Sequence, residues 1–312
     1  MHVLITGGAG MLGKALVDSW VRLRPSDEVT RLTRATVDLR DPEAAEHAIA
    51  RARPDLVLHT AAKVGGIAAN VAAPAEFLAD NLMIDTNVIQ ASRRVGVRDL
   101  VYFGSSCMYP RDYRQPLVEA DMMAAPLEPT NEGYAIAKIA GARLCEYISR
   151  QHGLQYRVLV PSNLYGPHDH FGSVASHLVA AAITKAHVVK STGLRAVEVW
   201  GDGTSRREFT YVGDLADWVA GHVGDIKEWA PMMNVGLGQD YSVADYYRQA
   251  LATVGYDAEL HFDPSKPAGM RQKLMDSSLA KQHGWDPRTG IDEGMRLAYE
   301  SALVSGDLEP AP

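Results

Sequence analysis

The sequence has few cysteines, no excess of positive charge and no long apolar run. Cys107 and Cys145 are the two cysteines among 312 residues. They are too few for a disulfide framework, and this scarcity is typical of a reducing cytosol. The net charge is -7 without a lysine-arginine block, which argues against nucleic-acid binding. No apolar stretch approaches the roughly 20 residues that span a bilayer, and a strand pattern follows Met1 directly, so we expect a cytoplasmic protein without leader peptide or membrane association.

The first half of the sequence alternates regularly between apolar strand patterns and helical patterns. Strands are predicted at Val3–Thr6, Glu28–Leu32, Leu56–Thr60, Leu100–Gly104 and Tyr156–Pro161. Helices are predicted at Met11–Leu23, Pro42–Ala52, Ala75–Val95 and Tyr134–His152. This alternation predicts an α/β fold over residues 1–165, with a doubly wound parallel sheet and helices on both faces.

After residue 165 the alternation loosens. Shorter strands are predicted at Val197–Trp200, Glu208–Val212 and Met232–Val235. We expect residues 166–312 to form a smaller α/β lobe that binds the substrate, with part of the 208–240 segment returning to the first domain. Ligands should then bind between the lobes, at the carboxyl ends of the parallel strands.

A glycine-rich loop follows the first predicted strand and opens a helical pattern. The predicted contact residues are Gly7, Gly8, Ala9, Gly10, Met11, Leu12 and Gly13. In such a loop the first glycine permits a tight turn, the second lets the backbone approach a pyrophosphate, and the third allows close packing of helix and strand. The pyrophosphate then meets the helix N-terminus. This order of strand, loop and helix predicts a Rossmann-type domain that binds NAD or NADP.

The end of the second predicted strand indicates which dinucleotide is used. NAD-dependent enzymes usually carry Asp or Glu there to bind the ribose hydroxyls. This chain has Arg31-Leu-Thr33-Arg34 instead, which favours the 2'-phosphate of NADP, the alternative being a solvated arginine face. Asp38 is a candidate for the adenine edge.

Tyr134 and Lys138 are four residues apart in a helical pattern and therefore share one helix face. An ammonium beside a phenol favours the phenolate and lowers a pKa that starts near 10. Tyr134 is thus a candidate acid for reducing a carbonyl group. The spacing alone also arises by chance on amphipathic helices, but here it accompanies a dinucleotide loop.

Together these features resemble the extended short-chain dehydrogenase/reductase family, and five strings in order resemble its GDP-L-fucose synthases. The strings are Ala61-Ala-Lys63-Val-Gly-Gly-Ile67, Ser105-Ser-Cys107-Met-Tyr109-Pro110, Pro129-Thr-Asn-Glu-Gly-Tyr134-Ala-Ile-Ala-Lys138, Asn163-Leu-Tyr-Gly-Pro-His168-Asp169 and Trp200-Gly-Asp-Gly-Thr204. These synthases convert GDP-4-keto-6-deoxy-D-mannose into GDP-L-fucose by epimerisation at C-3 and C-5, followed by NADPH reduction at C-4. The resemblance also implies a homodimer built on the helix bearing Tyr134 and the helix before it.

The resemblance assigns roles to particular residues. Tyr134 and Ser105 would stabilise an enolate oxygen, Cys107 and His177 would act as acid and base on opposite faces of the sugar, and Lys138 would also hold the cofactor ribose. Further cofactor contacts are implied for Ala61, Pro161, Asn163, Leu164 and His177. Substrate contacts are implied for Ser106, Asn163, Lys185, Trp200 and Arg207.

Simpler interpretations exist for several of these residues. An isolated cysteine beside a strand is often a small buried hydrophobe, as we expect for Cys145. Trp200 could belong to a core, Lys185 to a solvated helix face, and Arg206 could turn inward in place of Arg207. Rival histidines to His177 are His168 and His170, whereas His59 is expected to pack near the cofactor. Their spacing, without a cysteine or carboxylate cluster, predicts no metal site.

Other functions differ at identifiable positions. Sugar-nucleotide 4,6-dehydratases carry Thr-Asp-Glu where this chain has Ser105-Ser106-Cys107, so dehydration is not expected, and 4-epimerases lack the thiol. The Lys-Pro-Asp-Gly string of the synthases reads Lys266-Pro267-Ala268-Gly269 here, which leaves the nucleotide and sugar open. The alternatives are a reductase of C-4 alone, an enzyme for a related GDP-6-deoxy-4-keto-heptose, and a non-catalytic NADP-sensing protein.

Overall fold

The computed structural model describes residues 1–172, 176–266 and 269–308. The strands of this part are β1 (His2–Thr6), β2 (Glu28–Leu32), β3 (Leu56–His59), β4 (Asp99–Phe103), β5 (Gln155–Pro161), β6 (Asn163–Tyr165), β7 (Ala196–Trp200), β8 (Arg206–Tyr211), β9 (Met232–Val235), β10 (Asp240–Ser242), β11 (Glu259–Asp263) and β12 (Gln272–Lys273). Its α-helices are α1 (Met11–Leu23), α2 (Pro42–Ala52), α3 (Ile67–Ala72), α4 (Pro74–Arg94), α5 (Glu132–His152), α6 (Leu178–Thr192), α7 (Val212–His222), α8 (Val243–Val254), α9 (Ser278–Lys281) and α10 (Ile291–Ser305).

The larger sheet has six parallel strands in the order β2-β1-β3-β4-β5-β9. A smaller sheet has the order β10-β8-β12, with β6 paired to β8, and β7 pairs with β11. This arrangement confirms the predicted fold class, a doubly wound parallel sheet joined to a smaller α/β lobe. Strand β9 lies in the larger sheet although it follows strands of the smaller one.

Both faces of the larger sheet are covered, as the continuous apolar strands require. Val3 and Ile5 face one side, where Leu16 of α1 and Leu215 of α7 cover them. Leu4 faces the other side, in a cluster shared with α2, α4 and α5. Alternation along a single strand therefore fills two separate cores.

The smaller lobe has its own core. Buried side chains from α6, β7, β8, α8 and α10 meet there, among them Val179, Val199, Phe209, Tyr246 and Met295. Helix α6 and strand β7 are thereby fixed against β8, which carries the arginines predicted to bind substrate. The lobe thus positions its binding residues from a packed interior.

Several boundaries differ from the sequence prediction by one or two residues. Strand β3 ends at His59, because the next residue, Thr60, uses its hydroxyl to donate to the carbonyl of Thr6 (2.6 Å). Helix α5 begins at Glu132, which places Tyr134 inside its first turn. Strand β8 ends at Tyr211, where α7 begins. Helix α3 was not predicted.

Candidate active site

The loop between β1 and α1 has the backbone shape that a dinucleotide requires. Gly7 has φ +67°, which residues with a side chain rarely adopt. A Cβ atom on Gly13 would lie 2.3 Å from the carbonyl oxygen of Gly7, so only glycine allows α1 to approach this closely. The loop closes through a bond from Gly10 N to Gly7 O (2.9 Å), directly before the first turn of α1. These residues fit a pyrophosphate at the helix N-terminus.

The other predicted loop residues continue this surface. Gly8 N donates to the carbonyl of the last residue of β2 (3.0 Å), which ties the loop to the neighbouring strand. Ala9 is exposed, whereas Met11 and Leu12 are half-buried in the first turn of α1. The loop therefore presents backbone toward solvent and apolar side chains toward the sheet.

The end of β2 presents two exposed arginines, Arg31 and Arg34. The Arg31 side chain lies beside Gly8, because a Cβ atom added to Gly8 would be 2.9 Å from the Cβ of Arg31. Asp38, predicted at the adenine edge, accepts hydrogen bonds from Arg40 Nε (2.9 Å) and Nη2 (2.7 Å). These bonds lower the pKa of Asp38 to about 2. Arg40 was not predicted as part of this surface.

The remaining predicted cofactor residues lie at the same edge of the larger sheet. Ala61 follows β3, and Pro161 is the buried last residue of β5. Asn163 and Leu164 are half-buried in β6, and the Asn163 amide donates to a backbone carbonyl of β8 (3.2 Å). The structure therefore brings the carboxyl ends of β1, β3 and β5 together, as the sequence predicted.

Ser105, Cys107 and Tyr134 meet between the end of β4 and the first turn of α5. Ser105 Oγ accepts from Cys107 N (3.2 Å), and the Ser105 side chain also hydrogen-bonds with Tyr134. Cys107 Sγ accepts from Asn131 Nδ2 (3.1 Å) and from Lys273 Nζ (3.9 Å). The thiol thus lies between the tyrosine helix and a cation from β12.

The ionisation of Tyr134 differs from the prediction. Burial raises the pKa of its phenol, the neighbouring Cys107 and Asp85 raise it further, and the hydrogen bond with Ser105 opposes them. The ammonium of Lys138 lies 3.5 Å from Asp85 Oδ1, so its charge is neutralised there. The predicted lowering of the phenol pKa is therefore wrong for this structure, and Tyr134 is held in the protonated form that a proton donor needs.

His177 occupies the N-cap position of α6, open to solvent on one side. Burial among the surrounding groups lowers the pKa of its imidazole, Asp169 raises it, and His170 and Lys273 lower it. A neutral imidazole can accept a proton. Asp169 is buried, and its Oδ2 has no hydrogen-bond partner among the described residues. His177 and Cys107 thus both lie within the electrostatic field of Lys273.

The rival and secondary candidates occupy different environments. His168 and His170 are exposed in the loop after β6. Cys145 is fully buried in the core of the larger domain. Ser106 is 2% exposed, so its predicted contact with substrate is not favoured by this geometry.

The exposure of Trp200 contradicts the alternative that it is a core residue. Its side chain is 49% exposed at the end of β7. Lys185 Nζ lies 5.8 Å from its ring centroid and donates to the carbonyl of Glu198 (2.8 Å). Burial lowers the pKa of Lys185, with Glu198 opposing. The indole ring of Trp200 thus lies beside the ammonium of Lys185.

The two adjacent arginines of β8 have different surroundings. Arg206 is paired with Asp240 (2.7 Å). Arg207 is half-buried, and burial lowers the pKa of its guanidinium while the neighbouring Glu128, Tyr246 and Cys107 oppose that shift. The choice of Arg207 over Arg206 as a site residue is therefore the one the geometry favours.

Three residues of this site were missed by the sequence reasoning. Asn131 lies within the Pro129–Lys138 string and could have been found from it. Lys273 lies four residues after the Lys266–Gly269 string, and no motif pointed to it. Asp85 lies in α4 without any motif. Ala268, which carries the departure from the synthase string, lies outside the described residues.

Neither a metal centre nor a membrane-spanning helix is present in residues 1–172, 176–266 and 269–308. No group of three or more His, Cys, Asp or Glu side chains is placed to hold a metal ion. No helix in the same residues combines the length and apolarity needed to cross a bilayer.

Comparison with known proteins gives this site its class. Residues 3–236 match the NAD dependent epimerase/dehydratase family, and the chain belongs to that family. It is therefore an enzyme of the epimerase and reductase type with an NAD(P)-binding domain.

More specific relatives are similar over nearly the whole chain. A GDP-L-fucose synthase from Azorhizobium caulinodans is 41% identical over 98% of this chain and 97% of its own. A GDP-L-colitose synthase from Yersinia pseudotuberculosis is 38% identical over 95% and 96%. Among solved structures, a GDP-mannoheptose C4 reductase from Campylobacter jejuni with NADP bound is 33% identical, with a TM-score of 0.87 over 97% and 98%.

Proposed function

We propose that this enzyme converts GDP-4-keto-6-deoxy-D-mannose into GDP-L-fucose, by epimerisation at C-3 and C-5 and NADPH-dependent reduction at C-4. The observation that carries the proposal is the placement of Cys107 beside Tyr134 and Ser105. Lys273 Nζ lies 3.9 Å from Cys107 Sγ, and the charge of Lys273 also lowers the pKa of His177. The similarity to GDP-L-fucose synthases over the full chain supports the proposal.

Epimerisation needs a stabilised enolate. The C-4 ketone acidifies the protons on C-3 and C-5, and a base removes each one if hydrogen-bond donors hold the enolate oxygen. Tyr134 and Ser105 are adjacent donors, and burial keeps the phenol of Tyr134 protonated. The tyrosine can therefore donate a hydrogen bond throughout proton removal and return.

Inversion of each carbon needs an acid and a base on opposite sides of the ring. Cys107 supplies one side, with its sulfur held by Asn131 (3.1 Å) and Lys273 (3.9 Å). His177 supplies the other, because its lowered pKa leaves a neutral ring that accepts a proton. In each inversion one group removes the proton from the carbon and the other delivers a proton to the opposite face of the enolate.

Reduction uses the same donor. When bound, NADPH supplies hydride to C-4. Tyr134 gives its proton to the C-4 oxygen, so that the ketone becomes a hydroxyl, and Ser105 holds that oxygen in place. Arg31 and Arg34 fit the 2'-phosphate that distinguishes NADP from NAD.

The smaller lobe holds the nucleotide part of the substrate. Lys185 and Arg207 carry the charge that a diphosphate needs, and the exposed face of Trp200 can stack on a base or sugar. Substrate would thus bridge the two lobes.

We also propose a homodimer. Helices α4 and α5 present exposed apolar side chains, namely Met83, Ile136 and Tyr147, each more than 40% exposed. Such surfaces mark protein interfaces. Light scattering of the purified protein should give twice the chain mass, and Ile136→Asp should reduce it to that of one chain.

Product analysis tests the proposed reaction. In deuterated water the enzyme with NADPH and GDP-4-keto-6-deoxymannose should give GDP-L-fucose with deuterium at C-3 and C-5, as seen by NMR. Cys107→Ser should still oxidise NADPH but incorporate no deuterium at these carbons. Retained incorporation in this variant would overturn the role of Cys107.

A second candidate is reduction at C-4 without epimerisation. The similarity to a GDP-mannoheptose C4 reductase, at 33% identity and a TM-score of 0.87, favours keeping it. In that case the product would keep the C-3 and C-5 configuration of the substrate and carry no solvent deuterium there. The same NMR experiment therefore separates the two reactions.

A further inference from the structure

Lys138 has a buried counter-ion that the proposed mechanism does not use. Its ammonium lies 3.5 Å from Asp85 Oδ1 and 4.6 Å from the ring centroid of Tyr102. The side chains of Lys138 and Asp85 are 2% and 1% exposed. A buried carboxylate destabilises the fold unless it is paired and hydrogen-bonded. The partners of Asp85 therefore indicate why a carboxylate is present at this position.

Asp85 lies among side chains from three structural elements, and Tyr102 and Lys138 donate hydrogen bonds to it. Tyr102 of β4 donates to Oδ2 (2.5 Å), and His59 Nε2 of β3 and Lys138 Nζ of α5 lie 3.1 Å and 3.5 Å from Oδ1. Burial raises the pKa of Asp85, but Lys138, His59 and Tyr102 outweigh it and the pKa is lowered. Asp85 is therefore an ionised carboxylate at the centre of a matched cluster.

His59 connects this cluster to the dinucleotide loop. Ala61 N donates to Thr6 Oγ1 (3.3 Å), so the Thr6 hydroxyl is free to donate to His59 Nδ1 (2.7 Å). In the neutral ring, Nε2 then carries the hydrogen and faces Asp85. Burial lowers the pKa of His59, which keeps the ring neutral. Thr6 directly precedes Gly7, so the chain of contacts runs from the cofactor loop to α5.

We propose that Asp85 is a positioning residue that fixes the ammonium of Lys138 for the cofactor ribose, and that His59 and Thr6 fix Asp85 in turn from the dinucleotide loop. This inference rests on the proposed use of NADPH and extends it. A carboxylate at this place orients the lysine before any cofactor binds, because Tyr102 donates to one of its oxygens and the buried His59 ring lies 3.1 Å from the other. The cofactor loop and the catalytic helix are thereby mechanically joined.

The cluster also bears on the proton donor. The titratable groups around Asp85 are His59 on β3, Tyr102 on β4, and Tyr134, Lys138 and Cys145 on α5. The negative charge of Asp85 raises the pKa of Tyr134 in addition to burial. Loss of this charge should therefore move the pH dependence of reduction toward lower pH.

The test is Asp85→Asn, which removes the charge and keeps the shape. NADPH affinity, measured by calorimetry without sugar substrate, should fall roughly tenfold or more, since a hydrogen bond to a charged group is lost. The remaining affinity should fall further with rising pH, because a buried ammonium without a partner loses its proton. Glu46→Gln is the matched control, since it removes an exposed carboxylate of α2 that pairs with Arg94 of α4, the helix that carries Asp85. This variant should bind NADPH as the wild type does.

A merely structural role gives a different result. Asp85→Asn would then lower the melting temperature but leave the affinity for NADPH and its pH dependence unchanged, which overturns the proposal. The double variant Asp85→Asn/Lys138→Met removes both charges and should regain thermal stability relative to Asp85→Asn without regaining NADPH affinity. If Asp85→Asn does not fold, Asp85→Glu moves the carboxylate by one methylene and should weaken NADPH binding; unchanged binding overturns the proposal. Wild-type protein that fails to bind NADPH would instead refute the proposed function.

Discussion

The proposed catalytic region of the larger domain and the proposed nucleotide-binding region of the smaller lobe are built differently. Lys138 and Asp85 are 2% and 1% exposed and share partners from three elements. Trp200 is 49% exposed, and Lys185 has a side chain that is 34% exposed. A buried, fully partnered group cannot change without cost, whereas an exposed one can. For the proposed function, this difference predicts that the chemistry is fixed by the fold and that the choice of nucleotide-sugar is adjustable.

The largest effect is expected from Tyr134→Phe, which leaves shape and burial intact and removes the proton donor. General acid catalysis typically contributes about 10²–10⁴-fold, so kcat for NADPH oxidation should fall by roughly that factor. The melting temperature should stay close to that of the wild type. Stopped-flow absorbance at the nicotinamide band gives the rate.

The matched control is Tyr113→Phe, which removes an exposed phenol that has no role in the proposed mechanism. It should leave kcat unchanged. A Tyr134→Phe enzyme that keeps wild-type kcat would break the comparison, because buried catalytic groups would then be dispensable.

The sequence predicted the larger domain closely because its signals are local. Strand β2 and helices α1 and α2 have the predicted bounds, since apolar periodicity and a cap such as Asp41, which accepts from Glu43 N (2.9 Å), act within a few residues. The glycine loop was predicted for the same reason. Each of these features depends on residues that are close together in the sequence.

The partners of the catalytic groups were beyond such reasoning. Asp85 meets Lys138 across 53 positions, and Lys273 meets Cys107 across 166. No local pattern signals a contact of that kind. The lowered pKa expected for Tyr134 failed because burial of the phenol raises its pKa and because the carboxylate of Asp85, which raises it further, lies on another helix. The sequence thus supplied the candidate catalytic residues, but not the distant partners that balance their charges.

Glu208 tests whether burial, and not the lobe, makes the difference between the two regions. It belongs to β8 of the smaller sheet yet is 1% exposed, and burial raises its pKa from 4.5 to about 7. Because the folded pKa lies above the unfolded one, the protonated carboxyl stabilises the native state most below pH 4.5. That stability is lost as the pH rises to about 7, by roughly 3 kcal/mol.

The measurement is the free energy of unfolding by urea at a series of pH values. Glu208→Gln should flatten the decline between the two pKa values, whereas Glu46→Gln, an exposed carboxylate of α2, should keep the wild-type slope. An unchanged slope in Glu208→Gln would show that this buried carboxyl is ionised across the range and that burial alone does not set its behaviour.

Gly13→Ala extends the comparison to the cofactor loop. The added Cβ would lie 2.3 Å from Gly7 O, and overpacking of this kind costs about 1–3 kcal/mol. We expect lower stability and weaker NADPH binding. Gly221→Ala in α7 is the control, because a Cβ there meets nothing within 4 Å and an alanine in a helix should stabilise by about 0.5–1 kcal/mol. Calorimetric NADPH binding that is equal in both variants would contradict the assignment of this loop.

The smallest effect is expected from Trp200→Ala, because Trp200 lies in the exposed region of the smaller lobe. Stacking of a base on an aromatic ring contributes about 1–3 kcal/mol, so KM for the nucleotide-sugar should rise about tenfold while kcat stays within about twofold. Leu194→Ala, which removes a side chain from a residue that is 55% exposed in the same lobe, should change neither constant. A Trp200→Ala enzyme that loses kcat with unchanged KM would place Trp200 with the catalytic groups, and the division between fixed chemistry and adjustable recognition would no longer hold.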